Sequence, residues 1–184
     1  MEIEQVIEEV LNNYNAYEKI IDVYYTDIYQ YVLKQIGDVE VTKELCQDIF
    51  FETYRSLKRY DKKKASFRTW LYKIANYRCI DYLRSRAYKY QADSFDEAIK
   101  TIADNSNDVL TTLIQQEKTQ TVNELMRRCL KPKHERIMRY YFYADLSVGE
   151  ISILEKMPTK TIYTIINRSL EKLKQELGGD FNER

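Results

Sequence analysis

Residues 66–84 read Ser66-Phe67-Arg68-Thr69-Trp70-Leu71-Tyr72-Lys73-Ile74-Ala75-Asn76-Tyr77-Arg78-Cys79-Ile80-Asp81-Tyr82-Leu83-Arg84. At helical periodicity Phe67, Trp70, Leu71, Ile74 and Tyr77 share one face, while Thr69, Lys73 and Asn76 share the opposite one. Phe67, Trp70, Leu71 and Ile74 are therefore expected in a core. Ser66 is placed to cap the helix, its hydroxyl accepting from the unpaired amides of the first turn. The loop Arg59-Tyr60-Asp61-Lys62-Lys63-Lys64 comes just before it, and Arg84-Ser85-Arg86 closes it. Between Arg55 and Tyr90 twelve Lys/Arg oppose only Asp61 and Asp81, in a chain whose net charge is zero. Cations beside aromatic rings suit an unpaired nucleic-acid strand, because the cations neutralise phosphates and the rings stack on bases. The alternative is a solvated charged face.

The flanking segments have the opposite sign. Residues 1–54 carry twelve acidic side chains against three basic, and residues 91–117 carry six acids against Lys100. Residues 118–184 return to thirteen basic against nine acidic. Charge blocks of this kind suggest separate tasks for separate segments. Upstream, Ile3, Val6, Ile7, Val10 and Leu11 mark a short helix, and residues 17–35 a longer one with Ile20, Ile21, Tyr24, Ile28, Tyr31 and Val32 inward. Gly37 is expected to end that helix and Asp38 to cap the next. In the helix from Val39 to Lys58, Leu45, Ile49, Thr53 and Leu57 form an inward stripe. Glu44, Gln47, Asp48, Phe51 and Glu52 are left outside, on a face that is either solvated or a docking surface.

Downstream, turn-rich acidic sequence from 93 to 113 is expected to be a linker, with a weak helical turn at Ala98–Ala103. Helical periodicity resumes from Val109 to Leu130, and Pro132 starts another helix at its first turn. Ser147 and Glu150 have the spacing of a capping box. Met157-Pro158 breaks that helix, and Thr159 opens a last one with Ile162, Ile166, Ser169, Leu173 and Leu177 inward. A short helix, a tight turn and a longer helix with small polar outer residues read as a helix-turn-helix, against the alternative of a purely structural hairpin.

Four Gly and two Pro in 184 residues, with no sustained alternation of apolar and polar residues, give an all-α expectation. The expected division is two small helical domains, 1–92 and 114–178, joined by the linker 93–113 and followed by a tail 179–184. No apolar run approaches the roughly 18 residues of a membrane span, and the acidic start is unlike a secretory signal. A cytoplasmic protein without membrane insertion is expected. Cys46, Cys79 and Cys129 are scattered and His134 is the one histidine, which supplies neither a disulfide framework, a zinc site nor a Ser-His-Asp set. No cofactor and no enzymatic activity are expected.

Taken together, Leu45-Cys46-Gln47-Asp48-Ile49-Phe50, Phe67 to Ala75 running into Ile80-Asp81-Tyr82-Leu83-Arg84, Leu130-Lys131-Pro132 and Asp145 to Ile151 resemble the extracytoplasmic-function sigma factors of bacterial RNA polymerase, in the sigma-70 family. The resemblance spans nearly all of residues 17–178. It implies core RNA polymerase and promoter DNA as partners, with an anti-sigma protein as a further one. Glu44, Gln47, Asp48, Phe51 and Glu52 would dock on the polymerase clamp helices. Tyr60, Lys62, Lys63, Lys64, Ser66, Arg68, Thr69, Lys73, Asn76 and Arg84 would capture the −10 non-template strand. Thr159, Lys160, Tyr163, Thr164, Asn167 and Arg168 would read the −35 duplex. The acidic linker would stay extended and enter the polymerase channel, or else serve as a plain tether. This chain departs from the family pattern at three places: Tyr77 where asparagine is frequent, Lys156 where glycine is usual, and Ile165 where arginine is common. An autonomous helix-turn-helix regulator and a helical interaction module are the competing readings. Only Lys160 lies near the entering end of the last helix, so the free chain is expected to hold duplex DNA weakly.

Overall fold

The computed structural model describes residues 3–93 and 121–182. Most of the expected linker, with the helical turn at 98–103, lies outside the described residues. The described elements are helices: α1 (Ile3–Asn12), α2 (Tyr17–Ile36), α3 (Val39–Ser56), α4 (Phe67–Asp93), α5 (121–129), α6 (Pro132–Tyr143), α7 (Val148–Glu155) and α8 (Thr159–Asn182). Short 3₁₀ turns at Tyr14–Ala16 and Leu57–Arg59 follow α1 and α3.

Helix ends fall where side-chain chemistry satisfies the backbone. Gly37 ends α2 at φ 73°, a conformation that glycine adopts without steric cost. The Asp38 carboxylate accepts from the Val41 amide at 3.0 Å, and the Ser66 hydroxyl accepts from the Thr69 amide at 3.2 Å. Pro132 stands in the first turn of α6, where its missing N–H would have no partner anyway. At α7 the box is reciprocal: the Glu150 amide donates to Ser147 Oγ at 3.2 Å, and the Ser147 amide donates to Glu150 Oε2 at 2.9 Å. Two non-glycine residues sit in left-handed backbone, Asp145 after α6 and Lys156 after α7. Helix α8 passes through Gly178 and Gly179 to Asn182, so residues 179–182, expected in a tail, are helical.

Helices α1–α4 form an N-terminal lobe around buried Ile20, Ile28, Val32, Ile49, Phe67 and Leu71. Helices α6–α8, with α5 beside them, form a C-terminal lobe around Met126, Ile137, Met138, Leu146, Ile151 and Ile162. The lobes touch where α4 meets α6 and α7, and where α2 meets α6.

This contact corrects the two-faced reading of α4. Phe67 and Leu71 are buried as expected, but so are Thr69 and Asn76, at 1% and 0% exposure, whereas Tyr77 is 41% exposed. A helix lodged between two bodies is covered on two sides. Small polar residues are admitted to the second side because they find hydrogen-bond partners there.

Candidate nucleic-acid interface

The C-terminal end of α3 and the outer side of α4 enclose an open groove of about 360 Å³. Arg59, Lys73 and Arg78 bring cations to it, Trp70 and Tyr77 bring rings, and Glu52 and Asp81 lie at its edge. Glu52 faces Arg78 at 3.6 Å. Of these residues the sequence pattern singled out only Lys73 as a strand contact. Arg59 and Arg78 belong to the basic block, Trp70 is expected in the core, and Tyr77 shares its face of the helix.

The loop before α4 is shaped by Asp61. Its carboxylate accepts from the Lys63 amide at 3.0 Å and meets Lys64 Nζ at 3.2 Å; the Lys63 amide bond first, then Lys64, holds its carboxyl below the ordinary value. The turn leaves Lys62, Lys63 and Lys64 exposed. At its root Tyr60 packs on Phe67 and Trp70, ring centroids 5.4 Å away in both cases. The loop lysines are thus mounted on a rigid aromatic base beside the groove.

The remaining strand candidates turn toward the C-terminal lobe. Arg68 Nη2 donates to the Ala144 carbonyl at 3.1 Å, and the Thr69 hydroxyl donates to Glu150 Oε1 at 2.8 Å. Asn76 Nδ2 donates to the Arg136 carbonyl at 3.2 Å, and Arg84 approaches Glu135 at 4.0 Å. Burial alone would raise the Glu150 carboxyl, but hydrogen bonds from the Ser147 amide and hydroxyl and from Thr69, with Arg68 nearby, hold it below its ordinary value. Beneath these, Arg139 is fully buried, donating to Glu135, Gln35 and Asn123.

On α3, Glu44, Gln47, Asp48 and Phe51 are exposed, and Glu52, at the groove edge, is half-buried. Phe51 is 62% exposed with the Arg55 guanidinium 5.6 Å from its ring centroid. A large apolar ring left this open beside carboxylates has the form of a protein-docking face. In the C-terminal lobe, Thr159, Lys160, Tyr163, Thr164, Asn167 and Arg168 all line the exposed side of α8. Ile165, by contrast, is buried at 7%, so at that register the helix faces its own core. The thiols of Cys46 and Cys79 are pushed up by burial, to about 11 and about 12, which makes them packing groups rather than nucleophiles.

The described residues form a paired-lobe helical scaffold with a cation-and-ring groove on one lobe and a short helix, a tight turn and a longer helix on the other. Residues 20–88 match the family model of sigma-70 region 2. The chain is 26% identical over 168 residues to the ECF RNA polymerase sigma factor SigW of Bacillus subtilis (strain 168), covering 89% of each. Among solved structures it resembles CnrH in complex with the cytosolic domain of CnrY, with a TM-score of 0.64 at 15% identity, covering 95% of this chain and 96% of that one. It also resembles the sigma factor RpoE in complex with the anti-sigma factor NepR from Bartonella quintana, with a TM-score of 0.56 at 13% identity, covering 88% and 96%. The chain is thus similar over most of its length to extracytoplasmic-function sigma factors, and its residues 20–88 match region 2 of the sigma-70 family. That family is regulatory and non-catalytic. Among the described residues no helix is long and apolar enough to cross a membrane.

Proposed function

We propose that this sigma factor directs promoter-specific initiation by dividing three contacts between its surfaces. Glu44, Gln47, Asp48, Phe51 and Glu52 on α3 dock on core RNA polymerase. The loop Tyr60–Ser66 and the groove beside it, with Lys73, Tyr77 and Trp70, capture unpaired −10 non-template bases. The outer face of α8, from Thr159 to Arg168, reads the −35 duplex in the major groove. The domain division 1–92 and 114–178 fits this split, and polymerase places the work in the cytoplasm. An anti-sigma protein, of the kind that accompanies RpoE in its complex, would compete for the same surfaces.

The observation that carries the reading is the groove itself: cations beside an exposed Tyr77 and a half-buried Trp70, next to an acidic face with an open Phe51. A flipped base needs a ring to replace the stacking it has lost, at a cost of a few kcal/mol, and a cation for its phosphate. The test is association with purified core enzyme. Gln47→Ala/Asp48→Ala should change stability by no more than about 0.5 kcal/mol, as exposed positions do, while core binding and promoter-dependent transcript fall together. Undiminished association of that variant would overturn the docking assignment.

A further inference from the structure

We propose that the groove on α4 takes a guanine base of the unpaired strand, and that Asp81 is the residue that selects it. The inference rests on the strand-capture reading above and names the base that the site reads.

Lys73, Tyr77 and Asp81 follow one another at four-residue spacing along α4, and all three line the groove. At that spacing successive side chains start about 5–6 Å apart on one face of a helix. A cation, a ring and a carboxylate therefore stand in a row. The Arg136 guanidinium lies 5.3 Å from the Tyr77 ring centroid and is itself fixed by two bonds of 2.6 Å to Glu155. That contact orients the ring and still leaves Tyr77 41% exposed. A base stacked on this ring has Lys73 one turn before it, for a phosphate, and Asp81 one turn after it.

Asp81 is the anomaly in such a site. The groove holds a second carboxylate, Glu52, but Arg78 answers it at 3.6 Å. Asp81 is exposed and meets no hydrogen-bond or ion-pair partner among the described residues. A bare carboxylate repels phosphates and weakens a strand site unless it meets a donor. Away from its ends a DNA strand carries one kind of donor, the N–H groups of its bases. A carboxylate only accepts, and its two oxygens suit a pair of parallel N–H groups. The Watson–Crick edge of guanine presents N1–H and N2–H side by side, so both oxygens are met at once. Adenine and cytosine set an amino group beside a ring-nitrogen lone pair, which opposes the second oxygen. Thymine flanks its single N–H with a carbonyl on either side. Strand opening frees that edge for reading, and guanine is the base that turns the charge of Asp81 into a contact.

The experiment uses the full chain bound to purified core RNA polymerase, with core enzyme alone as the baseline. Fluorescence anisotropy follows short labelled oligothymidylate strands in which one central base is guanine, hypoxanthine, adenine, cytosine or thymine. Hypoxanthine keeps N1–H but lacks the N2 amino group. The parent is expected to hold the guanine strand about tenfold more tightly than the thymine strand, and to lose most of that margin with hypoxanthine. Asp81→Asn keeps the shape but sets one donor beside one acceptor, the complement of the adenine and cytosine edges. Its preference should pass from guanine to those two bases, a change that a merely structural role would not produce. Asp22→Asn removes the same charge at an exposed position outside the groove and should keep the parent's order of bases. Guanine preference that survives in Asp81→Asn, or hypoxanthine held as well as guanine by the parent, overturns the inference. Equal affinity for every base that falls with Tyr77→Ala overturns it alone and leaves strand capture standing. Equal affinity that Tyr77→Ala leaves unchanged overturns the strand-capture reading as well.

Discussion

Arg139→Met tests the polar junction at its most constrained point. Arg139 is completely buried, and it is the largest side chain so placed. Its Nε and Nη2 donate to Glu135 Oε1 at 3.1 and 3.0 Å, and its Nη1 donates to Gln35 Oε1 and Asn123 Oδ1 at 3.0 Å each. Methionine fills much of the volume but supplies no donor. Asn123 Oδ1 keeps the Tyr143 hydroxyl at 3.2 Å. Glu135, whose side chain is 4% exposed, keeps only Arg84 at 4.0 Å. A buried charge stripped of its partner costs about 3–5 kcal/mol, a large share of a total stability of about 5–15 kcal/mol. Urea unfolding followed by circular dichroism reports both lobes, and the fluorescence of Trp70, the one tryptophan, reports the N-terminal lobe. Adding Glu135→Leu removes the stranded carboxylate, and the double variant should recover most of the loss, because apolar replacement of a whole buried pair is near neutral. A loss under about 1 kcal/mol for Arg139→Met, or a double variant that costs the sum of the two singles, would refute the reasoning.

Lys156 ends α7 at φ 53° and ψ 49°, where a Cβ is strained, so Lys156→Gly should raise stability by about 1 kcal/mol in thermal unfolding. Acid should part the lobes through Glu150. Its carboxyl is held below the ordinary 4.5, so the stability it contributes is complete above that value and is lost as pH falls through the lowered one. Scattering from about pH 6 down to about pH 3 should show the particle lengthening. An identical acid profile in Glu150→Gln would remove Glu150 from that account.

Much of the helical order was legible because local chemistry and burial agree along this chain. Gly37, Asp38, Ser66, Pro132 and the Ser147–Glu150 box each punctuate the backbone through a bond that depends only on nearby residues. The stripe Leu45, Ile49, Thr53, Leu57 faces one partner surface, and all four residues are buried. Thr53 belongs there because its hydroxyl donates to the Ile49 carbonyl at 2.7 Å, so its polarity is spent within the helix. Lys156 shows the limit in the other direction. Nothing in a lysine marks a left-handed position, and the turn is set by Met157-Pro158 after it and by the Ser152 hydroxyl closing onto the Met157 carbonyl at 2.5 Å.

The site was less legible than the fold, and α4 shows why. Periodicity sorts residues by whether they suit water, and it assumes one buried side. Thr69 and Asn76 suit water, yet both are enclosed because Glu150 and the Arg136 carbonyl, 81 and 60 residues away, meet their hydrogen-bonding groups. Trp70 packs against the core as expected, while Tyr77, on the same face, is 41% exposed at the groove wall. For Thr69 and Asn76 the environment is chosen by the other lobe rather than by their own helix. Those two residues join the lobes, and a single-helix wheel carries no sign of a second body. Helix α8 offers the contrast. Among the described residues its outer face meets no second body, Thr159, Lys160, Tyr163, Thr164, Asn167 and Arg168 are all exposed, and there the sequence pattern and the surface coincide.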